Sequence, residues 1–210
     1  MCQGCADLPA DLKPDCGGNR INAPPPRMLD PAQHCDMSAQ KSPHTLRERL
    51  HGSRAPIHKR DPDTMTRIVL SSDHAAIDLR QAVAKHVQAK GYEVHDIGPN
   101  TLESTHYPAH GEAAAREVAS GASDLGIILC GTGQGIMMAA NKVKGVRCGV
   151  CADPFSAAMI RQHNDANMLS LGARVLGEGL ALEIVDAFLS ASFEGGRHAT
   201  RVDMITAIEA

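Results

Sequence analysis

The residue type best suited to chemistry here is a cysteine at the end of an apolar run. In the stretch LGIILCGTGQGIMMAANK, Cys130 follows Leu125–Leu129, and Gly131, Gly133 and Gly135 come directly after it. Free cysteine is often a buried small hydrophobe. Beside a turn rich in backbone N–H groups it can instead be a thiolate, acting as nucleophile or as base. The glycine pattern narrows the choice. A dinucleotide fingerprint needs G-x-G-x-x-G, but Ile136 holds the third glycine's place, although Asp153 supplies an acidic residue about twenty positions on. A Walker loop would end in Gly-Lys-Ser/Thr, which is absent, and a cysteine-phosphatase loop would need arginine where Ile136 stands. What remains is a turn of closely spaced N–H groups at a helix start, a site for developing negative charge. That suits attack on a carbonyl or removal of a proton beside one.

Other polar residues fall at places expected beyond the carboxyl ends of the strands, where parallel α/β sheets bind ligands. Asp73 and His74 follow the first strand, Asp153 the fourth, and His163-Asn164-Asp165 close a helix before the fifth. The segment GGRHATR brings Arg197, His198 and Arg201 together, with the arginines at i, i+4 on one helix face, a spacing that suits a phosphate. The plainer alternatives are a helix-capping or surface role for His163 and a solvated basic turn for the arginines. Met137 and Met138 read as core or interface packing.

These residues need elements to position them, and the chain from Arg67 onward supplies alternating apolar runs and amphipathic stretches. RIVLSS, YEVHDIG, LGIILC, VRCGVC and NMLSLG read as strands. Helices are expected over 76–91, 110–121, 135–145, 154–164 and 178–191, with one more after Gly196. Strands of continuous apolar character alternating with helices predict a Rossmann-like three-layer α/β/α sandwich on a mostly parallel sheet of about five strands. In such sheets ligands bind beyond the carboxyl ends of the strands.

Residues 1–64 differ: they hold nine of the twelve prolines, four of the seven cysteines and no Phe, Trp or Tyr. That composition predicts disorder. Two other readings attach to it. Cys2 and Cys5 form a CxxC to which His34 and Cys35 could add ligands, in a spacing that fits no compact zinc module. Alternatively Met65 is the true start and the domain spans 65–210. A formal net charge of −3 gives no basic footprint for nucleic acid. No membrane-length apolar run or signal-peptide core is evident, and the cysteine usage suits a reducing compartment, so a cytoplasmic protein is expected.

Five blocks, SSDHA, THYP, LCGTGQGIMMAANK, RQHNDANMLSLGARVLG and FEGGRHATRVDMI, together resemble the type B ribose-5-phosphate isomerases, a superfamily shared with galactose-6-phosphate isomerase. The resemblance runs from about Thr66 to the C-terminus. It implies cofactor-independent, metal-free interconversion of ribose 5-phosphate and ribulose 5-phosphate through an enediolate, a step of the pentose phosphate pathway. By resemblance, Cys130 is the base, with Thr132 beside it. The backbone of Gly131, Thr132, Gly133, Gln134 and Gly135 is the anion hole, and His163 opens the sugar ring. Asp73, His74, Asn164, Arg174, Arg197 and Arg201 match substrate contacts, while Tyr107 and His198 lie in segments that line the pocket. One branch of the family places a glutamate base where this chain has Ile136, so the resemblance is to the cysteine branch. It also implies a homodimer or homotetramer with sites shared between subunits. Isomerisation of a hexose or tetrose phosphate, or a non-catalytic nucleotide-binding module, stays open as an alternative.

Overall fold

Apolar runs bounded by turns make the strands, and the helices between them cover both faces. The computed structural model describes residues 65–209. The readings made for residues 1–64 lie outside them. The order is β1 (Arg67–Ser72), a short 3₁₀ turn (His74–Ala76), α1 (Ile77–Ala89), β2 (Glu93–Asp96), α2 (Tyr107–Ser120), β3 (Leu125–Cys130), α3 (Gln134–Ala140), β4 (Cys148–Val150), α4 (Pro154–Asn164), β5 (Met168–Gly172), α5 (Glu178–Ser190) and α6 (Arg197–Ala207). All ladders are parallel, in the spatial order β2-β1-β3-β5-β4. This is the three-layer α/β/α sandwich with a five-stranded parallel sheet that the alternation predicts. Among the described residues no helix is long and apolar enough to cross a membrane.

The period-2 alternation of the strands divides the core in two. Ile68, Leu70, Ile127, Leu129, Leu169 and Leu171 face one side, under α1, α4 and α5, with Phe188 fully buried. Val69, Ile128, Cys130 and Met168 face the other, under α2 and α3. Cys130 therefore lies on the α2/α3 face of the sheet, whereas α4 packs on the opposite one.

Two helix boundaries differ from the sequence reading. Helix α2 starts at Tyr107 rather than at His110, because Pro108 occupies the first turn, where its missing N–H costs nothing. Helix α3 stops at Ala140 instead of running to Gly145. The Asn141 side chain there donates to Cys148 O (2.8 Å) and accepts from Cys148 N (2.8 Å), taking the chain straight into β4.

The order of strands sets the site. From β1 the chain steps to β2 on one side, then returns to β3 on the other, so the carboxyl ends of β1 and β3 form a topological switch point. The Asp73 N–H donates to Leu129 O (3.2 Å), tying those two ends together.

Candidate active site

Cys130 ends β3 with 4% of its surface exposed. The chain then turns sharply, and the Gly133 N–H donates to Cys130 Sγ at 3.2 Å. Gly133 can do so because its φ of +78° is open to glycine and disfavoured for L side chains. Space reinforces this, since a Cβ there would lie 2.9 Å from Val150 Cγ2 and 3.0 Å from the Leu171 carbonyl carbon. The loop after β3 is also bonded to β5 and the residues beyond it: Ser170 Oγ donates to Gly133 O (2.7 Å), Ala173 N to Cys130 O (2.9 Å) and Arg174 N to Gly131 O (2.9 Å). A sulfur held in a fixed turn by a backbone donor can carry negative charge, the requirement for a base.

Around this sulfur the structure assembles part of the sequence-derived set. Asp73 is buried, and its carboxylate accepts from Ala75 N (3.0 Å), which starts the 3₁₀ turn. His74 Nδ1 accepts from Thr105 N (3.2 Å), leaving Nε2 as the protonated nitrogen of the neutral ring. Tyr107 lies over Gly135 so closely that a Cβ there would sit 2.6 Å from its ring carbons. Arg174, exposed, packs beside Gly131. Thr132 is exposed and its hydroxyl accepts from Gln134 N (3.4 Å), so the polar partner of Cys130 is the Gly133 N–H and not this hydroxyl. A groove of about 400 Å³ runs past His74, Asp78, Leu102, Ala173 and Glu178 at this same edge.

Two residues the sequence reading did not select belong here. His110, one turn along α2 from Tyr107, sits near Asp73 and Arg80. Burial lowers its pKa below the usual histidine value; Arg80 adds to that and Asp73 opposes it. Arg80 itself is fully buried and ion-paired to Asp96 (2.9 Å).

The remaining predicted residues form a second cluster elsewhere. His163 and His198 stack with ring centroids 4.2 Å apart and planes 2° from parallel. Their Nε2 atoms lie 3.9 and 3.8 Å from one Glu194 oxygen, and Arg197 Nε donates to His198 Nε2 (3.3 Å). Burial, then His163 and Arg197, lower the His198 pKa against the opposing pull of Glu194. Arg197 and Arg201 share one exposed face of α6. Asp165 caps α4 in a left-handed conformation (φ 46°), which aspartate tolerates better than most residues. Arg147 secures that end by donating to Asn164 O (3.0 Å) and Asp165 O (2.7 Å).

His163, Glu194 and His198 have the atom types of a zinc site, with ligand atoms within 4.8 Å of one another. Their geometry is unsuited to one. Stacked parallel rings aim their in-plane lone pairs side by side instead of at a common point, and the Arg197 N–H already takes that of His198.

The two clusters lie at opposite ends of the sheet. Helix α4 starts beside the carboxyl end of β4 and runs back to the amino end of β5. From Pro154 to His163 is nine residues, about 13 Å at 1.5 Å each. Since α4 also covers the face opposite Cys130, no single chain brings His163 to Cys130.

Two further cysteines are buried and free. Cys148 and Cys151 point to opposite faces of the sheet, and burial raises both thiols, Cys151 to about 11, so they are packing residues.

Comparison with known proteins shows the family. The sequence model for Ribose/Galactose Isomerase matches residues 68–205. Ribose-5-phosphate isomerase B of Escherichia coli (strain K12) is 48% identical over 145 residues, covering 69% of this chain and 97% of that protein. The structure of Clostridium thermocellum ribose-5-phosphate isomerase B superimposes with a TM-score of 0.68 at 51% identity, covering 69% of this chain and 97% of that one. Ribose-5-phosphate isomerase B from Mycoplasma genitalium with bound ribulose-5-phosphate gives 0.67 at 41% identity, covering 70% and 98%.

Proposed function

The chain belongs to the ribose/galactose isomerase family, in its type B ribose-5-phosphate isomerase group, and on that premise we propose that it interconverts ribose 5-phosphate and ribulose 5-phosphate through an enediolate. The observation that carries the reading is the Cys130 sulfur, set at the sheet's switch point with the Gly133 N–H aimed at it.

The geometry supports a division of labour. His163 passes a proton to the ring oxygen as the anomeric hydroxyl gives one up, so the C1–O4 bond breaks and the furanose opens to the aldehyde. The Cys130 thiolate then takes the proton from C2 of the aldehyde form, and the electron pair shifts to make the C1–C2 enediolate. Transfer of the O2 proton to O1 and return of the abstracted proton to C1 complete the ketose. The Gly133 N–H is already spent on the sulfur, so it steadies the base and not the sugar oxygen. The Gln134 N–H is donated to Thr132 Oγ1, so on this reading the enediolate oxygen falls to the N–H groups of Gly135 and Ile136 in the first turn of α3, which no helical carbonyl uses. His74 and the arginines receive the phosphate and hydroxyl groups, Arg197 and Arg201 as two guanidinium groups on one face. This chemistry asks for a base and an anion hole and no organic cofactor.

Because Cys130 and His163 lie at opposite ends and faces of one sheet, the reading requires a second copy whose His163 cluster meets the first copy's Cys130 cluster. Subunit complementation tests the chemistry and the sharing together. Cys130→Ala and His163→Ala chains are each expected to be inactive toward ribose 5-phosphate alone. Mixed after dissociation and reassociation, they regain turnover, because a hybrid dimer holds one intact site. If the hybrids stay inactive while each parent folds, the shared site is wrong. If Cys130→Ala retains substantial activity, the base is wrong. A parallel panel of tetrose, pentose and hexose phosphates ranks the substrates.

A further inference from the structure

Away from the catalytic turn, one heavily bonded side chain touches no proposed substrate group. Arg80 of α1 is fully buried, and each of its three side-chain nitrogens is bonded. Nε donates to Asp96 at the end of β2 (3.1 Å to Oδ2), Nη1 to Ser72 Oγ at the end of β1 (2.8 Å) and to Pro99 O (2.8 Å), and Nη2 to Asn100 Oδ1 (2.9 Å). Gly98 wraps so closely that a Cβ there would lie 2.0 Å from Nη1. We propose that Arg80 is a positioning residue for the substrate-facing wall made by His74 and the segment 97–106.

The connection runs through two anchors. Segment 97–106 leaves β2, and residues 100–104 are exposed, with Leu102 at 82%. At its near end Arg80 grips Pro99 and Asn100; at its far end the Thr105 N–H is bonded to His74 Nδ1 (3.2 Å). Leu102 and His74 then line the same groove. Ser72, which accepts from Arg80, donates onward to Asp73 O (2.9 Å), so the guanidinium also secures the chain just before Asp73 and His74. A buried ion pair adds little net stability compared with an apolar side chain of equal size. What the planar fork provides is geometry: four acceptors on three separate segments held at fixed angles, which one ammonium cannot match.

The proposal rests on the isomerase reading for the meaning of the wall, but not for the wall's order, so the test separates the two. Arg80→Lys, Arg80→Met and Asn100→Ala are prepared in the full chain. Amide hydrogen exchange of segment 97–106, the His74 tautomer by ¹⁵N NMR, thermal unfolding, and KM and kcat for ribose 5-phosphate are measured. Both Arg80 variants are expected to speed exchange at Thr105 about tenfold, to lose the fixed His74 tautomer, and to raise KM about tenfold with kcat nearly unchanged. Asn100→Ala, an exposed change that leaves the ion pair intact, moves the same readouts less; it alone decides the matter if the Arg80 variants do not fold. Unchanged exchange and tautomer in folded variants overturn the proposal, as does a fall in kcat that merely tracks lost stability. Should the wild-type chain isomerise no aldose phosphate, the functional reading fails, while the exchange and tautomer data still decide the role of Arg80.

Discussion

Gly133 joins the fold to the chemistry, so Gly133→Ala should damage both. An alanine at φ +78° incurs the left-handed penalty, about 1–2 kcal/mol. Its Cβ would also stand 2.9 Å from Val150 Cγ2 and 3.0 and 3.1 Å from the carbonyl carbon and oxygen of Leu171. The valine methyl can move; the backbone of a central buried strand yields less. Overpacking of this kind adds about 1–2 kcal/mol. The total is about 2–4 kcal/mol, or a Tm lower by roughly 5–15 °C for a domain of this size. Relief comes most easily by shifting the loop, which draws the N–H away from Cys130 Sγ and should lower kcat about 10²-fold, the scale of losing one preorganised donor.

The assay is thermal unfolding together with turnover of ribose 5-phosphate, on Gly133→Ala and on the same change combined with Val150→Ala. The second substitution removes the movable contact but neither the backbone strain nor the Leu171 contact. It should therefore restore only part of the stability and little of the turnover. Full restoration by Val150→Ala would refute the claim that backbone conformation makes this glycine necessary. A single variant within about 1 °C of wild type, with normal turnover, would refute the whole argument.

Three further expectations follow from the same contacts. Ser170→Ala removes the 2.7 Å hydroxyl donor of the Gly133 carbonyl, which keeps the Met137 N–H (3.3 Å), and should cost about 0.5–1.5 kcal/mol in urea unfolding. Gly135→Ala should push the Tyr107 ring aside, and adding Tyr107→Ala should recover most of the stability loss, a non-additivity that a double-mutant cycle measures. His110 has a folded-state pKa below its unfolded value of about 6.5, so the unfolded chain binds its proton first. Its contribution to stability is complete above that pH and is lost as pH falls through it. His110→Gln should flatten the decline in Tm between pH 7 and pH 5, and an unchanged slope would assign that decline to other groups.

How much of this was legible in the sequence varies with the physics. Strands β1 and β3 lie where their apolar runs stop, and α4 lies between Pro154 and Asn164 as read, because hydrophobic period and proline geometry are local signals. That the site lies beyond the carboxyl ends of the strands followed from the β/α alternation, but the switch point depends on the strand order, which alternation does not give. Arg80 did not emerge, although a signal was present: Ala76, Arg80, Val83 and Val87 form one buried stripe at helical spacing, with an arginine where an apolar residue is expected. His110 was missed because its helix was started three residues late, which hid its place on the Tyr107 face. The bond from the Gly133 N–H to Cys130 depends on a left-handed residue, and sequence shows that only as a glycine among several. The separation of Cys130 from His163 was implicit in the alternation. A strand's carboxyl end and the carboxyl end of the following helix lie at opposite edges of a parallel sheet.

That separation has a consequence that needs no mutation. If catalysis requires Cys130 of one copy and His163 of another, turnover per chain must depend on chain concentration, because a folded monomer holds no complete site. Helix α6, which carries Arg197 and Arg201, also leaves Met204, Ile205 and Ile208 in water, at 67%, 44% and 83% exposure. Such a cluster at the end of a domain is the kind of surface that a partner covers. Diluting the protein through its dissociation constant should therefore make specific activity fall in parallel with the fraction of dimer measured by fluorescence anisotropy or mass photometry, while circular dichroism stays constant. Replacing Met204 and Ile208 by aspartate should move both curves to higher concentration together. If activity per chain holds steady in a population shown to be monomeric, the two clusters act without meeting, and the assignment of His163 to the same reaction as Cys130 falls with it.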